Sequence, residues 1–330
     1  MTPVRPVLVM CLAIAACGFS EARAQSSEHH THWEPYRERN REPSINQNLQ
    51  DPALQGAVDL HVHIDPDAYP RQWDAFEVAE IAKGRGMRAL LLKNHWTETA
   101  GYAEIARTYA TQGIEIFGGL ALNTTVGGMN PQAVRYFADV AGDWARVVWM
   151  PTHDSEHEVK FNEDRREFVP VSEDGELLTE TLEVLDVIAE NELTLATGHV
   201  TPEEALMIIR AAKERGIERI IATHPMLGAQ FTDMSDEQMT QTAELGGYIE
   251  VVSGNLRPTN EDRQHVFDMI RMVGPEHVIV SSDSGLVGTP NHPDALAMAA
   301  VALREEGFTE DEIDLMFKQN PAWLVGLDSE

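Results

Sequence analysis

The segment Asp59-Leu60-His61-Val62-His63 sets two imidazoles two residues apart in an otherwise mostly apolar run. Side chains alternate between faces along a β-strand, so His61 and His63 point the same way. If Val62 packs to the opposite side, the two rings can chelate one divalent cation. An HxH pair is weak evidence by itself. It gains weight from other polar residues that each end a short apolar run: Lys93 and His95 in Leu91-Leu92-Lys93-Asn94-His95, then His153, Gly198-His199, Thr223-His224 and Ser282-Asp283. Imidazole and carboxylate donors together suit zinc, and also manganese, iron, cobalt or nickel.

Such residues must be brought to one place. Eight short apolar runs recur: Val58–His63, Ala89–His95, Ile114–Leu122, Val147–His153, Leu193–His199, Ile220–His224, Tyr248–Ser253 and Val278–Asp283. Helical patterns lie between them, among them Phe76–Gly84, Tyr102–Tyr109, Leu177–Ala189, Ala205–Lys213 and Val266–Val273. Thr201 with Glu204, Ser235 with Gln238, and Thr309 with Glu312 read as capping boxes. Buried strands alternating with helices predict a parallel sheet, and eight units predict a single-domain α/β fold, a (β/α)₈ TIM barrel over residues 52–330. The C-terminal strand ends of such a barrel meet at one mouth, where the polar residues fall. No G-x-G-x-x-G or P-loop follows the first run, which argues against nucleotide binding. The charged stretch Asp154 to Glu176 reads as a loop over the mouth. Specificity is expected in such loops, chiefly around Phe161 to Val171, near Lys160, Arg165 and Arg166.

The strand order and these residues resemble the amidohydrolase superfamily of metal-dependent hydrolases, from about Val58 to Leu327. The ending Asn320-Pro321-Ala322-Trp323-Leu324-Val325-Gly326-Leu327 looks like that superfamily's frequent closing motif. The resemblance implies one or two divalent ions. His61 and His63 would hold the more buried one, with Asp283 as ligand and general base. His199 and His224 would hold the second, or one would ligate the first ion while the other polarises substrate. One departure stands out. Strand four ends Met150-Pro151-Thr152-His153-Asp154, without the lysine or glutamate usual in binuclear members. Lys93 ends strand two instead. Burial should depress its pKa, and a neutral amine can take up CO₂ as a bridging carbamate. The plainer readings are a substrate-binding cation or a lysine reaching solvent. His95, His153 and Asp154 are candidate ligand or substrate residues, and Asn123 and Asn255 candidate substrate hydrogen-bonders. Asp65 and Asp67 read as turn formers, and His157, His265, His277 and His292 as surface residues.

The implied reaction is attack by metal-bound hydroxide on an amide, ester or lactone carbonyl of a small molecule. A mononuclear decarboxylase of the same superfamily is the alternative, favoured by the missing strand-four lysine. A phosphoesterase that opens with HxH ranks lower, because Asp283-Ser284-Gly285 lacks the D-x-H pair. A non-catalytic exported metal-binding protein is the reading outside enzymology.

The chain has 330 residues, 43% of them hydrophobic, ample for a barrel core. It carries 54 acidic and 25 basic side chains, a net charge of −29. Such a surface repels phosphates and anionic lipids, which argues against nucleic-acid binding. Arg5, the apolar stretch Val7 to Ala16, and Ala22-Arg23-Ala24 before Gln25 read as a signal peptide over 1–24, hence an exported, periplasmic or secreted protein. Ile14-Ala15-Ala16-Cys17 offers a lipoprotein alternative anchored at Cys17. Cys11 and Cys17 are the only cysteines, so a chain cut after Ala24 has no disulfide. Residues 25–51 read as a mobile polar arm holding His29, His30 and His32. No later apolar run is long enough for a transmembrane helix, and nothing in the sequence reads out an oligomeric state.

Overall fold

The computed structural model describes residues 47–109 and 112–327. The expected signal peptide, the lipoprotein alternative at Cys17 and the histidines at 29, 30 and 32 lie outside these residues. Eight parallel strands form one sheet in sequence order: β1 (Val58–His63), β2 (Ala89–Lys93), β3 (Glu115–Ala121), β4 (Ala145–Trp149), β5 (Thr194–Ala196), β6 (Ile220–Ala222), β7 (Tyr248–Val252) and β8 (Val278–Ser281). Parallel neighbours need crossover connections, and helices supply them: α1 (Ala75–Gly84), α2 (Ala100–Tyr109), α3 (Pro131–Ala138), α4 (Glu156–Phe161), α5 (Thr179–Glu190), α6 (Pro202–Glu214), α7 (Asp236–Glu244), α8 (Arg263–Val273) and α9 (His292–Glu305). Two short helices, α10 (Glu310–Asp314) and α11 (Asn320–Leu324), close the chain. This is the expected (β/α)₈ barrel, and the three expected capping boxes form at the starts of α6, α7 and α10. No helix among the described residues is long and apolar enough to cross a membrane.

The strands sort their side chains by period two. On β2, Ala89 and Leu91 enter the barrel's inner cluster, while Leu90 and Leu92 join the layer under the helices. That alternation turns Lys93 inward. On β1 it would fail: Val58 and Leu60 are inner residues, so strict alternation would turn His61 and His63 outward. A bulge corrects this. Asp59 pairs with Leu90 and Val62 with Leu92, so Leu60 and His61 together oppose Leu91. The extra residue flips the pleat. Val62 then packs outward with the helices, as the HxH reading required, and both imidazoles face in.

The β1–β8 seam closes through a side chain. Asp59 Oδ1 accepts from Ser282 N at 3.0 Å and from His61 N at 3.2 Å. One step on, His63 N donates to Ser284 O at 2.9 Å. Burial raises the Asp59 carboxyl to about 6, against hydrogen bonds from Ser282 and His61 that favour its charged form. The barrel floor is Trp149, whose ring occupies the space a side chain at Gly119 would need: a Cβ there would lie 2.2 Å from it. At the far end, Ala322, Leu324 and Val325 of the closing motif plug the inner cluster, and Asn320 Nδ2 donates to Val278 O at 2.7 Å.

The structure corrects several expectations. The regular strands stop before His95, His153, His199, His224 and Asp283, which lie just beyond the ladder. Gly198, His224 and Asp283 adopt positive φ of 66°, 25° and 48°, which a pleated strand cannot accommodate. The stretch Asp154 to Glu176 is no plain loop; it contains α4 and a hairpin of Ser172–Glu173 with Glu176–Leu177. Residues 47–51 are docked rather than loose: Gln47 N and Leu49 N donate to Asp294, and Arg304 pairs with Asp51. His292 is not a surface residue. It is 1% exposed in the first turn of α9, where burial, helped by the Arg85 charge, lowers its pKa to about 3 against a hydrogen bond with the Val78 backbone that raises it.

Two outcomes follow from these contacts. Asp59→Ala leaves two buried N–H groups without an acceptor and should cost about 2–5 kcal/mol in urea unfolding, whereas Asp59→Asn keeps a carbonyl acceptor and should cost much less. Equal losses would deny the seam role. For His292, both states are neutral above pH 6.5, and below it only the unfolded chain takes up the proton until the folded pKa is reached. Stability should therefore fall with acidification by about 1.4 kcal/mol per pH unit from this group, and His292→Gln should flatten the pH 6.5 to 5 limb by about 2 kcal/mol.

Candidate metal centre

Six imidazoles line the barrel mouth in a closed ring. Neighbouring centroids are 5.2 Å apart for His61–His63, 4.8 Å for His63–His95, 4.1 Å for His95–His153, 5.6 Å for His153–His199, 5.1 Å for His199–His224 and 5.7 Å for His224–His61. Five are buried and His153 is half-buried. They surround a cavity of about 160 Å³ that Lys93, Asp283, Tyr69, Arg71, Leu227, Phe231 and Leu286 complete. The sequence candidates His61, His63, Lys93, His95, His153, His199, His224 and Asp283 are thus all brought together.

Their protonation suits ligation. Burial is the first cause in each case, and neighbouring positive charge adds to it: His63, His95 and His224 are held well below the usual imidazole range. His199 falls to about 4, by burial against the opposing hydrogen bond and charge of Glu158. Neutral imidazoles offer lone pairs, which a metal requires.

Buried carboxylates decide which nitrogen is offered. Glu250, on β7, accepts from His61 Nδ1 at 3.0 Å. Glu158, on α4, takes two rings at once: Oε1 lies 2.6 Å from His153 Nδ1 and Oε2 2.6 Å from His199 Nδ1. Burial pushes both carboxyls up, but the imidazole charges and hydrogen bonds outweigh it, and both sit below their ordinary pKa. An ionised carboxylate only accepts, so these Nδ1 atoms carry the protons and the Nε2 lone pairs are left for the cavity.

The lone pairs then meet other acceptors. His61 Nε2 lies 3.1 Å, and His63 Nε2 3.3 Å, from Asp283 Oδ1. A bare imidazole lone pair against a carboxylate oxygen is unfavourable unless a cation joins them. His199 Nε2 and His224 Nδ1 are buried without a hydrogen-bond partner. Donor atoms of His61, His224 and Asp283 lie within 4.8 Å of one another, as do those of His153, Glu158 and His199. The residues therefore fit divalent ions. The grouping refines the expectation: His224 sits with His61 and Asp283, and His199 sits with His153. The positive φ of His224 and Asp283 costs about 1–3 kcal/mol each, a strain usual at sites that aim a side chain.

Lys93 does not reach solvent. Its Nζ lies 2.8 Å from His61 Nε2 and 4.7 Å from the centre of the Trp149 ring. Burial lowers it to about 8, although Asp283 and Glu250 pull it back up. His95 is held through Nδ1 by Thr152 Oγ1 at 2.9 Å. Other expectations are corrected. Asp154 turns away to Arg166 and Thr124. Asn123 is spent on His95 O, Thr152 and Asp154, and Asn255 on Met226 O and Val252 N. The Phe161 to Val171 loop contributes nothing to the cavity wall, because Arg166 is tied to Asp154 and Asp164. Glu158 and Glu250 escaped sequence reasoning. For Glu250 a signal existed: an acid inside the apolar strand Tyr248–Val252.

A family model described as a family of unknown function, DUF6282, matches residues 56–250. The chain belongs to the DUF6282 family. That match runs from just before β1 into β7, so it contains the six imidazoles, Lys93, Glu158 and Glu250, while Asp283 lies beyond it. No curated protein matches the chain in sequence. Among solved structures, it is similar to an amidohydrolase from Pseudomonas aeruginosa, with a TM-score of 0.56 and 14% identity over 83% of this chain and 96% of that one. It is also similar to an organophosphorus hydrolase from Deinococcus radiodurans, with a TM-score of 0.54 and 15% identity over 86% and 96%. A third is an N-acetyl-D-glucosamine-6-phosphate deacetylase from Mycobacterium smegmatis, with a TM-score of 0.51 and 17% identity over 83% and 76%. This DUF6282 chain thus has the barrel fold of the amidohydrolases.

Glu158 has a role that can be measured. Glu158→Ala frees two imidazoles at once and should weaken zinc binding by about 10–100-fold in chelator competition. An unchanged affinity would reduce Glu158 to a structural residue.

Proposed function

We propose that this DUF6282 protein is a metal-dependent hydrolase acting on an amide, ester or lactone carbonyl of a small molecule. One observation carries the reading: a closed ring of imidazoles, most of them driven neutral, whose lone pairs converge with Asp283 at a barrel mouth. Barrels of similar fold described as amidohydrolase, organophosphorus hydrolase and deacetylase support it at the level of class.

His61, His63 and Asp283 would hold one divalent ion, with zinc first among the metals such donors suit. His224, grouped with His61 and Asp283, would complete that first set, and His199, with His153, would hold a second. When bound, such an ion lowers the pKa of water and polarises a carbonyl oxygen. Asp283 is 24% exposed and open to the cavity, so its carboxylate can take the proton of the attacking water and return it to the leaving group. Phe231, packed 5.0 Å from His199 and 5.7 Å from His224 between ring centroids, excludes water from that side. Lys93, its pKa lowered by burial to about 8, would supply the carboxylated lysine that strand four lacks once its neutral form takes up CO₂.

A one-ion centre of decarboxylase type is the second reading. The tight set of His61, His224 and Asp283, enough for a single ion, favours it.

Metal content per chain, in the purified protein and in a His61→Ala/His63→Ala variant, tests both. Two ions, with one lost in Lys93→Ala but kept in Lys93→Glu, is the outcome expected for the hydrolase. One ion together with CO₂ release from a carboxylated substrate would favour the second reading. No ion after loading with zinc or manganese would overturn both.

A further inference from the structure

The cavity holds one strong cation that the metal centre does not use. Arg71 lies on the loop after β1 and its side chain is 5% exposed. Its Nε donates to Asp67 Oδ2 at 2.7 Å, and the Asp67 side chain is fully buried. Its backbone is pinned as well: Arg71 N donates to Asp65 Oδ1 at 2.9 Å, and Arg71 bridges Leu286 from the loop after β8. Asp65 and Asp67 do form the turn expected of them, and they also fix this guanidinium. Nη1 and Nη2 have no hydrogen-bond partner among the described residues. The charge is felt at the centre, where Arg71 depresses the pKa of His63, Lys93 and His95.

The guanidinium lines the cavity, where its free N–H groups can take an acceptor. Of the remaining described walls, Asp283 is the one carboxylate, and it is engaged with His61 and His63 at 3.1 and 3.3 Å; the imidazoles are mostly neutral, and Leu227, Phe231 and Leu286 are apolar. A guanidinium edge with two parallel N–H groups matches a carboxylate. Asp67 already offsets part of the charge, and only that edge is left, so a monoanion fits better than a phosphate dianion, whose third oxygen would lack a donor. The chain's net charge of −29 gives no long-range attraction for anions, so recognition must be local.

We propose that the substrate is a small monoanion carrying a carboxylate near its scissile group, and that Arg71 reads that carboxylate. The substrate class rests on the hydrolase reading above; the anion site itself does not.

The test is calorimetric titration with benzoate and its neutral isostere benzamide, on zinc-loaded and on chelator-treated protein. The wild type should bind benzoate saturably in both forms. Arg71→Met should lose about tenfold or more in benzoate affinity, with metal content unchanged and a lower melting temperature from the buried Asp67 it leaves unpaired, while any benzamide binding stays as it was. Arg71→Lys keeps the charge but not the paired donors, and should fall between the two. Absence of saturable benzoate binding by the wild type would overturn the proposal. So would benzoate affinity that survives Arg71→Met, or benzamide falling in step with benzoate. Should Arg71→Met fail to fold, Arg71→Lys decides: an undiminished preference for benzoate over benzamide overturns the proposal. If the protein holds no metal but Arg71-dependent binding persists after chelation, the hydrolase reading fails and the anion site stands.

Discussion

The site depends on what happens where the barrel closes. Between β1 and β8 the ladder is incomplete, and the Asp59 carboxylate supplies the missing acceptor to Ser282 N. The same oxygen takes His61 N, at the bulge that turns the HxH pair inward. One side chain thus sets the spacing between the two strands whose ends carry His61, His63 and Asp283. A register error of one residue on β1 would turn both imidazoles into the helix layer. The bulge is therefore the feature that turns both imidazoles of an ordinary strand into the barrel mouth, and the seam holds it.

A second constraint is electrostatic. Packing six imidazoles and a lysine into one mouth is affordable only if most are uncharged. Burial achieves that, and buried carboxylates then impose direction. Glu250 and Glu158 fix three rings by Nδ1, so that their Nε2 atoms look into one cavity. Trp149 supports the floor without offering a competing charge, and Gly119 is what leaves room for it. The arrangement stores unsatisfied lone pairs where water is scarce, which binding a cation relieves.

Much of this was legible in the sequence. The eight-fold alternation gave the barrel, because buried parallel strands read as short apolar runs. The site residues stood out because each broke such a run at its C-terminal end. What failed to show had physical reasons. The bulge leaves no mark in hydropathy, since Leu60 and His61 are both inner residues of different polarity. Glu158 lies in a charged stretch where any acid looks solvated, and only the return of α4 beneath His153 and His199 gives it meaning. His292 reads as a surface residue, yet α9 is buried along its first turn, where Asp294 takes the docked segment around Leu49. Arg71 was hidden for a similar reason: a cation two residues past a tyrosine in a turn has no periodicity to announce it.

The loops divide the labour in a way their composition does not reveal. The most charged connection, after β4, is closed on itself by Arg166 with Asp154 and Asp164, and what it brings to the site is His153 at its start and Glu158, which works from beneath. The walls come instead from short, less polar loops: Tyr69 and Arg71 after β1, Leu227 and Phe231 after β6, Leu286 after β8. An acidic exterior and a buried cationic edge are then complementary rather than contradictory. The acidic exterior repels polyanions, while a small anion that reaches the mouth meets a guanidinium held in place by Asp67. Recognition of that kind is costly to build and cheap to use, because the ordering has been done in folding.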